Sequence, residues 1–130
     1  MRVLVVDDAA ISRSAFVRIA RAAGLDVVAE AADVAEGLAL AAAVRPDAVV
    51  VDGRLVPELP SAFVAPLRER DPSVAVYIVA ALEETALVRA AIGAGASGAL
   101  LRPVLASQLR RILGAHASAA EDASRPDSAK

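Results

Sequence analysis

The sequence predicts a doubly wound α/β domain, with one five-stranded parallel sheet and helices on both faces. Three observations carry this. Short apolar, β-branched runs alternate with amphipathic stretches five times along 130 residues. The chain is 57% hydrophobic but has only one tyrosine and two phenylalanines, so its core must be aliphatic and its helices can pack close to a sheet. Charged residues stand directly after the first, third and fifth apolar runs, where such sheets hold their ligands.

The first strand is Val3 to Val6, an uninterrupted apolar run that suits burial on both faces, and it ends abruptly at Asp7-Asp8. A helix over Ala10–Ala23 follows, with Ile11, Ala15, Ile19 and Ala22 read as its inner face and Gly24 as its stop. Leu25 to Glu30 is the second strand. Asp33 and Glu36 have the spacing of a capping box and open a helix to Val44, which Arg45-Pro46-Asp47 breaks. Ala48 to Val51 is the third strand, closed by Asp52. Residues 53–60 read as a loop, with Ser61 as cap of a helix to about Arg70. Pro66 lies too deep for a first-turn proline there, so that helix begins late or bends. Val74 to Val79 is the fourth strand, Glu83 to Ala94 the fourth helix, and Ala96 to Leu101 the fifth strand. Pro103 suits the first position of a last helix that faces Leu105, Leu109, Ile112 and Leu113 inward. One domain is expected over residues 1–114, followed by a frayed or disordered tail at 115–130 that includes His116.

Composition removes several function classes. A net charge of −2 with no basic stripe argues against duplex binding, and the scarcity of aromatics argues against stacking on single strands, so no direct nucleic-acid contact is expected. There is no cysteine for a disulfide or a thiolate metal site. The longest uncharged run, Ala90 to Leu101, is too short for a bilayer and holds three glycines. Acids interrupt the amino-terminal apolar run almost at once, unlike a signal peptide. A soluble, cytoplasmic domain with no membrane contact is the expectation.

If Asp7, Asp8 and Asp52 share one crevice, each close pair repels by about 4 kcal/mol at 4 Å and an effective dielectric near 20. A cation or raised pKa values must relieve this. An all-oxygen cluster of carboxylates suits Mg²⁺, and Arg102 at the end of the fifth run can hold a phosphoryl group. One carboxylate could then attack phosphorus in line. The plainer alternatives are a solvated strand end for the acid pair, a carboxylate merely paired with Arg54 or Arg102 for Asp52, and a surface arginine for Arg102.

Val-Leu-Val-Val-Asp-Asp at the start, a lone Asp52 closing the third strand, and Gly-Ala-Ser-Gly-Ala-Leu-Leu-Arg-Pro at 95–103 together resemble the receiver domain of two-component response regulators, over residues 1–114. The resemblance implies a flavodoxin-like (βα)5 fold with strand order 2-1-3-4-5. It implies that Asp52 is the phosphoacceptor. Mg²⁺ would be bound by Asp8, Asp52 and the Arg54 carbonyl, with Asp7 acting through water, and Arg102 and the Ala81 backbone amide would contact the phosphoryl group. The implied role is phosphorelay signalling, with a histidine kinase or phosphotransfer protein as donor and an unknown downstream protein as target. Such a domain catalyses at most its own phosphorylation and dephosphorylation. A homodimer through the Glu83–Ala94 helix, Ala99 and the last helix is a further expectation.

Three positions depart from the family pattern. Ala80 stands where the family has threonine or serine, Ala99 where an aromatic is usual, and Arg102 where it has lysine. The family's hydroxyl bonds the phosphoryl oxygen and draws the following loop inward, and such a charge-assisted bond contributes about 1.5–3 kcal/mol. Arginine keeps the charge but replaces a point ammonium with a planar fork. These departures raise a second expectation, a degenerate receiver acting as a phosphorylation-independent interaction module. A nucleotide-binding or phosphatase-like enzyme is disfavoured. The first βα turn, Asp-Asp-Ala-Ala-Ile-Ser, has no glycine-rich cradle and no Asp-x-Asp spacing.

Overall fold

The computed structural model describes residues 1–55 and 60–114. The expected tail with His116, and the Val56-Pro57 stretch of the loop after Asp52, lie outside the described residues. Strands β1 (Arg2–Val6), β2 (Asp26–Ala31), β3 (Ala48–Asp52), β4 (Ala75–Ala80) and β5 (Gly98–Leu101) form one sheet in the order β2-β1-β3-β4-β5. Every pairing is parallel. The helices are α1 (Ala10–Ala22), α2 (Val34–Val44), α3 (Ala65–Arg70), α4 (Thr85–Gly93) and α5, residues 106–114.

The two-residue period of the strands divides the core. Leu4, Val6, Val49, Val51, Val76 and Ile78 point to the face covered by α2, α3 and α4. Val3, Val5, Val50, Tyr77, Val79 and Leu100 point to the face covered by α1 and α5, where Phe16, Val17, Ala20, Leu109 and Leu113 meet them. Each fully buried Val, Leu or Ile contributes roughly 1.5–3 kcal/mol. Both faces are dry at β1 and β3, which explains why those strands read as continuous apolar runs rather than alternating ones.

Capping follows the sequence at α2. The Asp33 carboxylate accepts the Glu36 N–H at 2.7 Å. The Glu36 carboxylate reaches back one residue further than a capping box requires, to the Ala32 N–H at 2.9 Å.

Several expectations need correction. The inner face of α1 is Phe16, Val17 and Ala20, with Ile19 alone of the expected stripe packed partly buried beside them; Ala15 and Ala22 are exposed, and Ile11 is 89% exposed. The N-cap position of α3 is Val64, not Ser61. Ser61 is the second residue of a single π-helical turn, Pro60–Val64, and the α-helix opens after it. That arrangement realises the late start, with Pro66 in the first turn of the α-helical segment. Pro103 is not the first residue of the last helix. α5 begins at Ala106, and Leu105 lies outside it with 58% exposure. β5 is shorter than expected, since Ala96 and Ser97 precede it, and the fourth helix starts at Thr85 rather than Glu83.

Candidate functional site

Chain order reverses at β1: β2 lies to one side and β3 to the other, so the carboxyl ends of β1 and β3 open into a common crevice. Asp7 and Asp8 follow β1 directly, and Asp52 is the last residue of β3. Carboxylate oxygens of all three lie within 4.8 Å of one another. Asp7 and Asp52 are buried, and Asp8 faces solvent. Asp7 and Asp52 are the only buried charged residues among those described.

Backbone and side-chain bonds fix each acid. Asp7 Oδ1 accepts the Ala9 N–H at 2.9 Å, in the turn that leads into α1. Arg13, one turn into that helix, donates to the Asp7 carbonyl at 2.7 Å and to Glu30 at 3.3 Å. Asp52 is held at its strand end by Gly53, whose N–H bonds the Val79 carbonyl at 2.8 Å. A Cβ at Gly53 would stand 2.8 Å from that carbonyl oxygen and from Leu87, so only glycine allows β3 to turn so close to β4 and α4.

Asp52 carries most of the polar contacts. Its Oδ1 accepts the Arg54 N–H at 2.9 Å and Arg54 Nε at 3.3 Å, and its Oδ2 accepts Arg54 Nη2 at 3.0 Å. Arg102 reaches the same Oδ1 from beyond β5, across the whole width of β4. Its backbone is placed by a bond from its N–H to the Ala80 carbonyl at 3.0 Å. Burial alone would push the Asp52 carboxyl up. The Arg54 hydrogen bonds and the Arg102 and Arg54 charges outweigh it and hold the carboxyl below its usual range. The Arg54 guanidinium is raised in turn, chiefly by its bond to Asp52.

On the β4 side, Ala80 is fully buried and offers no hydroxyl to the crevice. The Ala81 N–H donates to Glu84 Oε1 at 2.7 Å, and the same oxygen lies 3.6 Å from Arg102 Nη1. Glu84 was no candidate from sequence. Its signal is faint: an acid three residues past Ala81, the spacing at which a carboxylate folds back onto a turn. Arg13 likewise carries no sequence signal beyond its place among the charged residues opposite the expected apolar stripe. Ala99 is half-buried beside the α4 layer.

Three carboxylates converging in an oxygen-only cluster fit a hard divalent cation such as Mg²⁺. Both oxygens of Asp52 are meanwhile engaged by guanidinium groups, so a cation entering there exchanges with Arg54 or Arg102.

The geometry agrees with comparisons to known proteins. Residues 3–114 match the family described as the response regulator receiver domain. The transcriptional regulatory protein CitT of Bacillus subtilis is 32% identical over 90 residues, covering 69% of this chain. The chemotaxis protein CheY of Thermotoga maritima is 31% identical over 109 residues, covering 83%. The chain spans 40% of the length of CitT and 90% of that of CheY. The receiver domain of a response regulator NarL from Mycobacterium tuberculosis superposes with a TM-score of 0.79 at 30% identity, covering 89% of this chain and 95% of that one.

Proposed function

This chain belongs to the response regulator receiver family of two-component signalling, and from that premise we propose that it accepts a phosphoryl group on Asp52 with Mg²⁺ as cofactor. The observation that carries the reading is the convergence of Asp7, Asp8 and Asp52 on one crevice at the ends of β1 and β3. Mg²⁺ held by Asp8 and Asp52, with Asp7 acting through water and the Arg54 carbonyl as a further ligand, would neutralise charge on the transferring group. An Asp52 carboxylate oxygen forms the new P–O bond as the P–N bond to a donor imidazole breaks, and the imidazole leaves with the electron pair. Arg102 meets the phosphoryl oxygens, and the Ala81 amide is the neighbouring donor. The donor is a histidine kinase or phosphotransfer protein, and the output passes by protein contact to a downstream partner. Activity on a separate substrate is no part of this reading. A cytoplasmic setting accords with the absence, among the described residues, of any helix long and apolar enough to cross a membrane.

Labelling with acetyl phosphate and Mg²⁺ tests it. Wild type takes up phosphate and Asp52→Asn does not; label persisting in Asp52→Asn rules out Asp52 as acceptor.

One observation favours a second reading. Arg54 and Arg102 already neutralise Asp52 from within the chain, and Ala80 supplies no hydroxyl. A domain locked in that pairing would serve as a phosphorylation-independent interaction module. It requires partner binding to survive Asp52→Asn unchanged.

A further inference from the structure

The acceptor crevice has a second wall that the three aspartates do not explain. At the end of β4 the Ala81 N–H and the Arg102 guanidinium form two donors facing one space. A carboxylate from this chain fills it: Glu84 Oε1 takes the Ala81 N–H at 2.7 Å and sits 3.6 Å from Arg102 Nη1. Arg102 therefore bridges two acids, Asp52 on one side and Glu84 on the other.

Glu84 occupies the N-cap position of α4, yet its side chain makes no cap bond to that helix. It turns back across the Ala81–Glu84 turn, which its own N–H closes by bonding the Ala81 carbonyl at 3.0 Å. The residue that most needs a polar side chain to start α4 has that side chain committed elsewhere.

We propose that Glu84 is an internal stand-in for the phosphoryl group, displaced from Ala81 and Arg102 when Asp52 is phosphorylated. This deepens the reading of Asp52 as acceptor and rests on it. Phosphorylation adds to one Asp52 carboxylate oxygen a dianionic group bearing three acceptor oxygens. That group competes for the same two donors, and it repels the Glu84 carboxylate. Glu84 released from Ala81 is free to cap the first turn of α4 or to swing into solvent, so the β4–α4 turn changes shape. Ala80 has no hydroxyl to pull that turn inward, and Glu84 supplies a way to move it by letting go.

The test compares wild type with Glu84→Gln, which removes the charge, and Glu84→Ala, which removes the side chain. Each is treated with acetyl phosphate and Mg²⁺: an Asp52 oxygen bonds phosphorus, the bond from phosphorus to the acetate oxygen breaks, and acetate leaves with the electron pair. Uptake is followed by intact mass, and the Ala81 amide by ¹H–¹⁵N spectra. Removing a competing charge-assisted bond is expected to speed uptake about tenfold in Glu84→Ala, with Glu84→Gln between it and wild type. The Ala81 amide of unphosphorylated Glu84→Ala should lose the shift produced by the carboxylate, and phosphorylated wild type should lose it too. Uptake in Glu84→Ala alone also supports the proposal, since the block would then be Glu84 itself. Equal rates in all three proteins, with an Ala81 signal that ignores phosphorylation, overturn the stand-in and leave Asp52 as acceptor. Uptake in none of them overturns both.

Discussion

Arg54 forks onto the carboxylate of Asp52, two residues before it, with Nε 3.3 Å from one oxygen and Nη2 3.0 Å from the other. The backbone N–H of Arg54 adds a third bond at 2.9 Å, so the turn after β3 is folded around its own acid. This pair sets the terms on which any divalent cation enters, because both bind Asp52 through the same oxygens. Asp52 is 4% exposed and the Arg54 side chain 56%, so the guanidinium can leave into water while the carboxylate cannot. Solvent screening keeps such a half-exposed pair to about 1 kcal/mol or less. Arg54→Ala is therefore expected to bind Mg²⁺ about two- to fivefold more tightly than wild type. Isothermal titration of both proteins with MgCl₂ measures this. Equal affinities would show that the fork offers the cation no competition.

The same contacts give Asp52 a signature in acid. Its carboxyl is held below its ordinary value against the opposing effect of burial, through Arg54 and Arg102. A carboxylate with a depressed folded pKa contributes stability that is fully present above the unfolded value, about 3.9 for aspartate. That contribution is lost as pH falls through the folded value, because the unfolded chain takes up the proton first. Asp52→Asn removes the titrating group. Its stability should therefore fall less steeply than that of wild type below about pH 4, by up to about 1.4 kcal/mol per pH unit. Urea unfolding at a series of pH values from 6 downward is the measurement, and parallel acid limbs would refute the assignment.

The five βα units and the meeting of Asp7, Asp8 and Asp52 were legible in the sequence because both follow from strand ends. A buried strand announces itself as Val-Leu-Val-Val, and the strand order that the receiver resemblance implies sets β1 beside β3 and so brings the residues after them together. Glu84 was not legible. Its role depends on how a turn folds and on a guanidinium arriving from beyond β5, and neither leaves a periodic trace. The start of α5 was misplaced for a related reason. Pro103 fits a first helical turn by its own geometry, but the segment through Leu105 is used to carry the chain from the sheet edge down to the layer where Leu109 and Leu113 are buried. Gln108 then grips the edge strand from α5, accepting the Leu101 N–H at 3.0 Å and donating to its carbonyl at 3.3 Å.

The error in α1 leads to the sharpest test of the packing. Ile11, Ala15, Ile19 and Ala22 make a plausible apolar stripe, but so do Phe16, Val17 and Ala20, about two-fifths of a turn away. Periodicity alone cannot choose between two stripes on an alanine-rich helix. Burial settles it, because Phe16 packs with Val5 and Val50 in the core while Arg13 bonds the Asp7 carbonyl and Glu30. Phe16→Ala should then cost about 3–5 kcal/mol through lost burial and the cavity left between α1 and the sheet. Ile11→Ser, on a side chain that water already covers, should change stability by no more than about 0.5 kcal/mol. Urea denaturation followed by circular dichroism reads both, and a large loss at Ile11 with little at Phe16 would mean that α1 packs on its other face.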